Sequence, residues 1–307
     1  MEMKKQGRTD LFLILCGILI WFLADAARIR ARAAEALALC AGAVIPALFP
    51  FLAVSGLLVS LGFGAWLSPC LRGLMGPLFR LPGQAAGALV LGLVGGYPIG
   101  ARTAAELYRQ GELTRSEALR LLAFCNNSNP VFLVSVLGAG VFHSVRTGVW
   151  LWLIHLLSAL LTGLCFRGRG TAERRRQQPP RLTCRAVSFS SAVVDAVRNA
   201  AGGMLSICAF VVLFSVLAAP LQDLGPHAGP ALTGLLELFS LTPLLSSDRF
   251  GFLLAAGCAG WGGCSVLCQT AAVLADTDLS LRPCLLGKLL QGLFSLLLAA
   301  AVWQWVL

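Results

Sequence analysis

Apolar residues arrive in long runs, near positions 11–27, 37–60, 66–82, 84–108, 116–141, 148–166, 195–219, 231–246, 250–275 and 282–307, parted by short polar connections. A hydrocarbon layer of ~30 Å takes about 20 apolar residues of helix, so runs of this length predict membrane spans. Some runs are short or punctuated by glycine and proline. The stretch 66–82 holds Pro69, Pro77 and Pro82, which predicts a re-entrant or interfacial piece, because unpaired backbone is tolerated at membrane depth only where protein or water satisfies it. The pattern predicts an all-α polytopic membrane protein with about 8–10 transmembrane or re-entrant segments.

Composition strengthens that reading. Of 307 residues, 57% are hydrophobic and 12% charged, with a mean hydropathy of +0.80, more apolar surface than one soluble core hides. The net charge of +10 sits in short connections without interleaved aromatics, so it reads as topology and not as a nucleic-acid footprint. The basic connection 167–190, with seven arginines between Arg167 and Arg185, reads as a cytoplasmic loop. Near the N-terminus, Lys4, Lys5 and Arg8 precede an apolar run and Ala24-Asp25-Ala26. That pattern fits either a retained first span or a cleaved signal peptide. The 11 cysteines are scattered singly, and His143, His155 and His227 lie far apart. No metal ligand set, cofactor motif or nucleophile–base pair emerges, and the expectation is a chain that is not an enzyme and carries no cofactor.

The two halves carry weak internal similarity. At a shift of 167 residues, Gly95, Gly96, Thr103 and Ala104 meet Gly262, Gly263, Thr270 and Ala271. Read this way, residues 1–145 form a first membrane repeat, broken at 95–100 and 125–130, and residues 146–307 a second. Five segments in each would turn the second upside down, the inverted repeat of secondary transporters.

The breaks are the candidate chemistry. In "GGYPIGAR", Gly95, Gly96, Pro98 and Gly100 interrupt an apolar helix, Tyr97 adds a ring, and Arg102 and Thr103 follow in the new first turn. A helix N-terminus beside a cation favours an anion. The second-half counterpart "AGWGGCSVLCQTAA" offers Gly262, Gly263, Ser265, Gln269 and Thr270. Small-residue helix packing is the other reading of these glycines. "FCNNSNP" places Asn126, Asn127, Ser128 and Asn129 before Pro130 between apolar stretches. It fits an interrupted span lined with amide donors and acceptors, or an aqueous turn. Glu237, in "GLLELFSL", reads as an intramembrane proton or cation carrier or as a helix-end carboxylate. Lys288 reads as a snorkelling side chain.

"GGYPIGAR" and "FCNNSNP" together resemble the YlbJ (SpoVV) family of sporulation integral membrane proteins, within the wider group carrying nucleoside-recognition, or Gate, domains. The family pattern has Gly-Phe-Pro-x-Gly-Ala-Lys and Cys-Asn-Asn-Ser-Gly-Pro runs; here Tyr97, Arg102 and Asn129 stand for its aromatic, basic and glycine positions. The resemblance implies a location in the bacterial cell membrane, at the outer forespore membrane, and movement of dipicolinate, a small aromatic dianion, toward the forespore. The partners expected are that organic anion, membrane lipid, and further copies or sporulation membrane proteins. A non-transporting scaffold or gate subunit and a nucleoside-type transporter are the alternatives.

Overall fold

The computed structural model describes residues 2–168 and 188–306, so most of the basic connection, 169–187, lies outside the described residues. Among the described residues every regular element is helical. Helix α1 (Glu2–Ala24) ends at Asp25, and α2 (Ala26–Ser60) follows as one apolar helix of 35 residues. The sequence reading began a separate run at 37. Strong helix formers from Ala26 to Leu39 carry the helix back instead, with Arg28, Arg30 and Arg32 among them. Amphipathic α3 (Phe63–Leu74) runs into a wide turn, Met75–Phe79. The stretch read as 66–82 is thus too short to span.

Next comes a helical hairpin. Its limbs α4 (Ala85–Gly95) and α5 (Ile99–Arg109) have 11 residues each. That is about 16 Å per limb, half a bilayer. Helices α6 (Arg115–Leu122) and α7 (Phe132–Val141) form one span broken between them. A capping box holds its start, with Thr114 accepting from Glu117 N–H and the Glu117 carboxylate accepting from Thr114 N–H. Unbroken α8 (Val145–Cys165) closes the first set.

The same order then recurs. Helix α9 (Phe189–Gln222) is long; α10 (Ala228–Leu236) and α11 (Leu238–Leu241) make a hairpin turned at Glu237. A broken span follows in α12 (Arg249–Trp261) and α13 (Gly263–Leu274), then unbroken α14 (Arg282–Val302). Among the described residues, five helical stretches, beginning at Ala26, Val145, Phe189, Arg249 and Arg282, are long and apolar enough to cross a membrane. The protein is a polytopic integral membrane protein.

This order changes the repeat register. The hairpin turned at 96–98 matches the one turned at Glu237, and the break at 125–129 matches the one at 262–263. Ser158 of α8 and Ser295 of α14, 137 residues apart, meet in a 2.8 Å hydrogen bond. The same spacing separates the starts Val145 and Arg282. In element order, helix α8 closes the first set, beyond the position 145 read from sequence.

The 167-residue register fails for a geometric reason. Arg109 and Asp276, 167 apart, form an ion pair at the surface, while the opposite ends of α5 and α13 meet near Tyr97 and Gly262. Positions equivalent under inversion lie on opposite faces, so a pair that touches at one surface is not equivalent.

That surface carries a polar clamp. Arg115 Nε donates to Asp278 Oδ2 at 3.0 Å, and Tyr108 donates to Asp278 Oδ1 at 2.7 Å. The bond from Arg109 holds the Asp276 carboxyl below the usual aspartate range, and those from Tyr108 and then Arg115 do the same for Asp278. Folded values that are lowered stabilise the fold above the unfolded pKa of about 4, and that support is lost as pH falls through the folded values. All these groups are solvent-exposed, so Arg109→Ala is expected to leave the melting temperature nearly unchanged at pH 7 and to weaken its acid dependence below about pH 4, as read by melting curves at several pH values.

Candidate functional site

The "NNSN" run is no aqueous turn. Asn126 and Asn127 are 0% exposed, Ser128 and Asn129 nearly so, and all four lie outside regular helix between α6 and α7. Pro130 starts the second limb, and Asn129 Oδ1 accepts from Phe132 N–H at 2.8 Å, capping it. Asn127 Nδ2 donates to Phe124 O at 2.8 Å, and Asn126 Nδ2 donates to Thr270 Oγ1 at 2.9 Å. Buried polar atoms require partners. Two side-chain atoms of this run lack them: Asn126 Oδ1 and Asn129 Nδ2.

The glycines divide into two kinds. Gly96 has φ +83°, Gly262 +86° and Gly263 +88°, backbone that only glycine adopts freely, so these three make the breaks. Gly100 is different. A Cβ there would overlap the carbonyl oxygen of Cys125, as would one at Gly92, and at Gly95 it would press on Ser55 and Ile99. These are packing glycines that let the hairpin sit against the α6–α7 break. Pro98 precedes α5, and its bond to Tyr97 is cis.

Tyr97 is where the parts converge. Its hydroxyl donates to Ala259 O at 3.0 Å on α12 and accepts from Ser128 Oγ at 3.3 Å and from Lys288 Nζ at 3.3 Å. Lys288 is not a snorkelling side chain. It sits two turns inside α14, 1% exposed, with Nζ 4.8 Å from the Tyr97 ring centroid and donating to Gln291 Oε1 at 2.9 Å and Gly260 O at 3.4 Å. Among the described residues, no carboxylate lies within ion-pair distance of it. Gln291 in turn donates to Asn127 Oδ1 at 2.8 Å. His155 Nε2 accepts from Ser128 N–H at 3.1 Å, which leaves the buried Nδ1 without a partner.

Beside this network lies a cleft, and its lining comes from matched elements of the two sets. Leu48 and Ile207 come from the long helices. Gly96 and Tyr97 come from one hairpin turn, Leu238 and Phe239 from the other. Ser128, Asn129 and Phe132 come from one broken span, Val266 and Gln269 from the other. As arranged, its floor has room for about one water. A ring-sized ligand requires the facing elements to separate.

Of the residues singled out from sequence, Gly96, Tyr97, Ser128, Asn129 and Gln269 line this cleft. Asn126, Asn127, Ser265 and Thr270 are buried behind it, Ser265 accepting from Gln269 at 3.3 Å. Thr103 is buried on α5. Arg102 is misplaced by the sequence reading: it is exposed, with Nη2 3.8 Å from the position of a Cβ on Gly203 of α9, outside the lining. Its neighbours Ala101 and Thr103 are buried, and successive helical residues turn by about 100°, so Arg102 leaves α5 on the outward side. Glu237 is a buried helix-end carboxylate, accepting from Ser240 N–H at the start of α11. Lys288, Gln291 and His155 were missed as site residues. Their one signal was polarity inside apolar runs.

Residues 41–144 match the nucleoside-recognition (Gate) family model, a stretch that takes in the first hairpin and the "NNSN" break. Across 302 residues the chain is 28% identical to the sporulation integral membrane protein YlbJ of Bacillus subtilis (strain 168), covering 85% of this chain and 74% of that one. The chain is similar to YlbJ. The resemblance read from "GGYPIGAR" and "FCNNSNP" therefore extends through both sets of helices, and both motifs of that YlbJ-like reading sit at the cleft. No solved structure matches the chain.

Proposed function

We propose that the protein is a membrane carrier for a small organic anion, with dipicolinate as the substrate its similarity to YlbJ favours. The observation that carries this reading is Lys288, a buried cation without a carboxylate, placed behind Tyr97 and Ser128 at a cleft made from two hairpin turns and two broken spans. An anion in that cleft faces the Tyr97 ring and the unpartnered Asn129 Nδ2, with the Lys288 charge one side chain behind. Three crossings in each set reverse the second relative to the first, the inverted arrangement in which rocking exposes one site to each side alternately. The protein acts as a carrier and not as an enzyme, within a bacterial membrane, and the outer forespore membrane is the location this reading favours.

The test is uptake of labelled dipicolinate into proteoliposomes, with citrate and nucleosides as controls. Saturable dipicolinate uptake supports the reading. Nucleoside uptake in its place would favour the substrate named by the Gate family, and no uptake by folded protein would favour a scaffold. Two variants sharpen the placement. Arg102→Ala is expected to keep uptake within about twofold, because its side chain lies outside the cleft. Asn129→Ala, which removes a cap as well as a free donor, is expected to lower uptake by about tenfold, equivalent to ~1.4 kcal/mol of lost ligand contact.

A further inference from the structure

We infer that the ammonium of Lys288 is a tethered cation, standing where a free sodium ion would otherwise bind at the broken span, so that transport by this chain needs no sodium. The inference rests on the carrier reading for its transport consequence, but the site itself is a matter of geometry. Helix α12 stops at Trp261 because Gly262 and Gly263 both take left-handed backbone. That leaves the Gly260 carbonyl near the end of the helix, aimed at Lys288 Nζ at 3.4 Å. Tyr97 Oη and Gln291 Oε1 complete the set at 3.3 and 2.9 Å.

The acceptors are a carbonyl, a hydroxyl and an amide oxygen, from three separate elements. Neutral oxygens converging at an unwound helix are the ligands a hard monovalent cation takes in membrane carriers. An ammonium has three N–H donors and no acceptor, and the count matches three oxygens. The other buried charge does not compete for this role. The Glu237 carboxylate accepts the Ser240 N–H of α11, and among the described residues no cluster of three or more acids, histidines or cysteines is able to hold a metal ion. Removing the lysine side chain, with the oxygens left in place, opens a cation-sized gap between them.

Purified wild-type protein and the variants Lys288→Ala and Lys288→Ser are to be melted in sodium chloride and in choline chloride at equal ionic strength. The wild type is expected to melt alike in both. Each variant is expected to gain about 5 °C in sodium, saturably, as ligand binding to the folded state requires. A sodium-specific rise in the wild type overturns the inference, as does the absence of any rise in both folded variants. If neither variant folds, the wild type decides: a sodium-specific melting shift, or anion uptake that collapses when choline replaces sodium, overturns it, and indifference to both supports it. A sodium response confined to the variants, with no uptake of any anion by the wild type, would sink the carrier reading and leave the tethered cation standing.

Discussion

Lys288→Met is expected to reduce anion uptake by at least tenfold while leaving a folded, membrane-inserted protein. Nζ lies one hydrogen bond behind Tyr97, so a ligand in the cleft sits roughly 7 Å from the charge; at an effective dielectric near 20 that is worth about 2 kcal/mol per unit of ligand charge, or about thirtyfold in affinity. Two effects on stability oppose each other. Methionine leaves Gln291 Oε1, Gly260 O and Tyr97 Oη short of a donor, about 1–3 kcal/mol for each group that finds no replacement, but it also removes the penalty of burying an unpaired charge. The loss therefore concentrates in transport. Methionine fills the gap that alanine would open, so added sodium is not expected to rescue it. Normal yield and melting with uptake lost would uphold the placement of the anion site; uptake within twofold of wild type would remove Lys288 from it.

Gly100→Val is expected to do the reverse, abolishing the folded protein before any transport is measured. The carbonyl of Cys125 rests on the Cα of both Gly92 and Gly100, and any side chain there overlaps backbone that has no rotamer to change. Overpacking of mobile side chains costs about 1–3 kcal/mol, and here the neighbour is fixed backbone at the "NNSN" break, so at least about 3 kcal/mol is expected. Gly96→Ala strains a left-handed turn instead, and a smaller loss of about 1–2 kcal/mol follows. Comparing detergent-extracted yield and melting of the two variants separates packing from turn geometry.

The helical, membrane-embedded character was legible in the spacing of apolar runs, because a bilayer demands segments of one length. The breaks were legible too, since proline and glycine inside apolar stretches interrupt a helix, though the sequence did not separate the turn glycine Gly96 from the packing glycine Gly100. What the sequence did not show was which partner each polar residue meets. Arg102 looked like the anion-binding charge because it follows the break directly, yet one helical turn offers several directions and Arg102 takes the outward one. Lys288 looked peripheral because it lies near the start of a run, while it stands on the inward face of α14, in line with buried Cys284 and Gln291. The repeat register follows the same pattern. Glycine and alanine coincidences favoured 167, whereas the order of hairpin, broken span and unbroken span aligns the two sets at another spacing, and that order appears only once the breaks are sorted into turns and kinks.

The bond between Ser158 and Ser295 joins two residues that stand at equivalent positions in the two sets of helices. A contact between equivalent residues lies where the two copies meet. On the proposed carrier reading, this pair is expected to stay joined while the hairpin turns swing. A covalent link between these two positions would then leave turnover intact, whereas the same link placed across the cleft mouth would lock it.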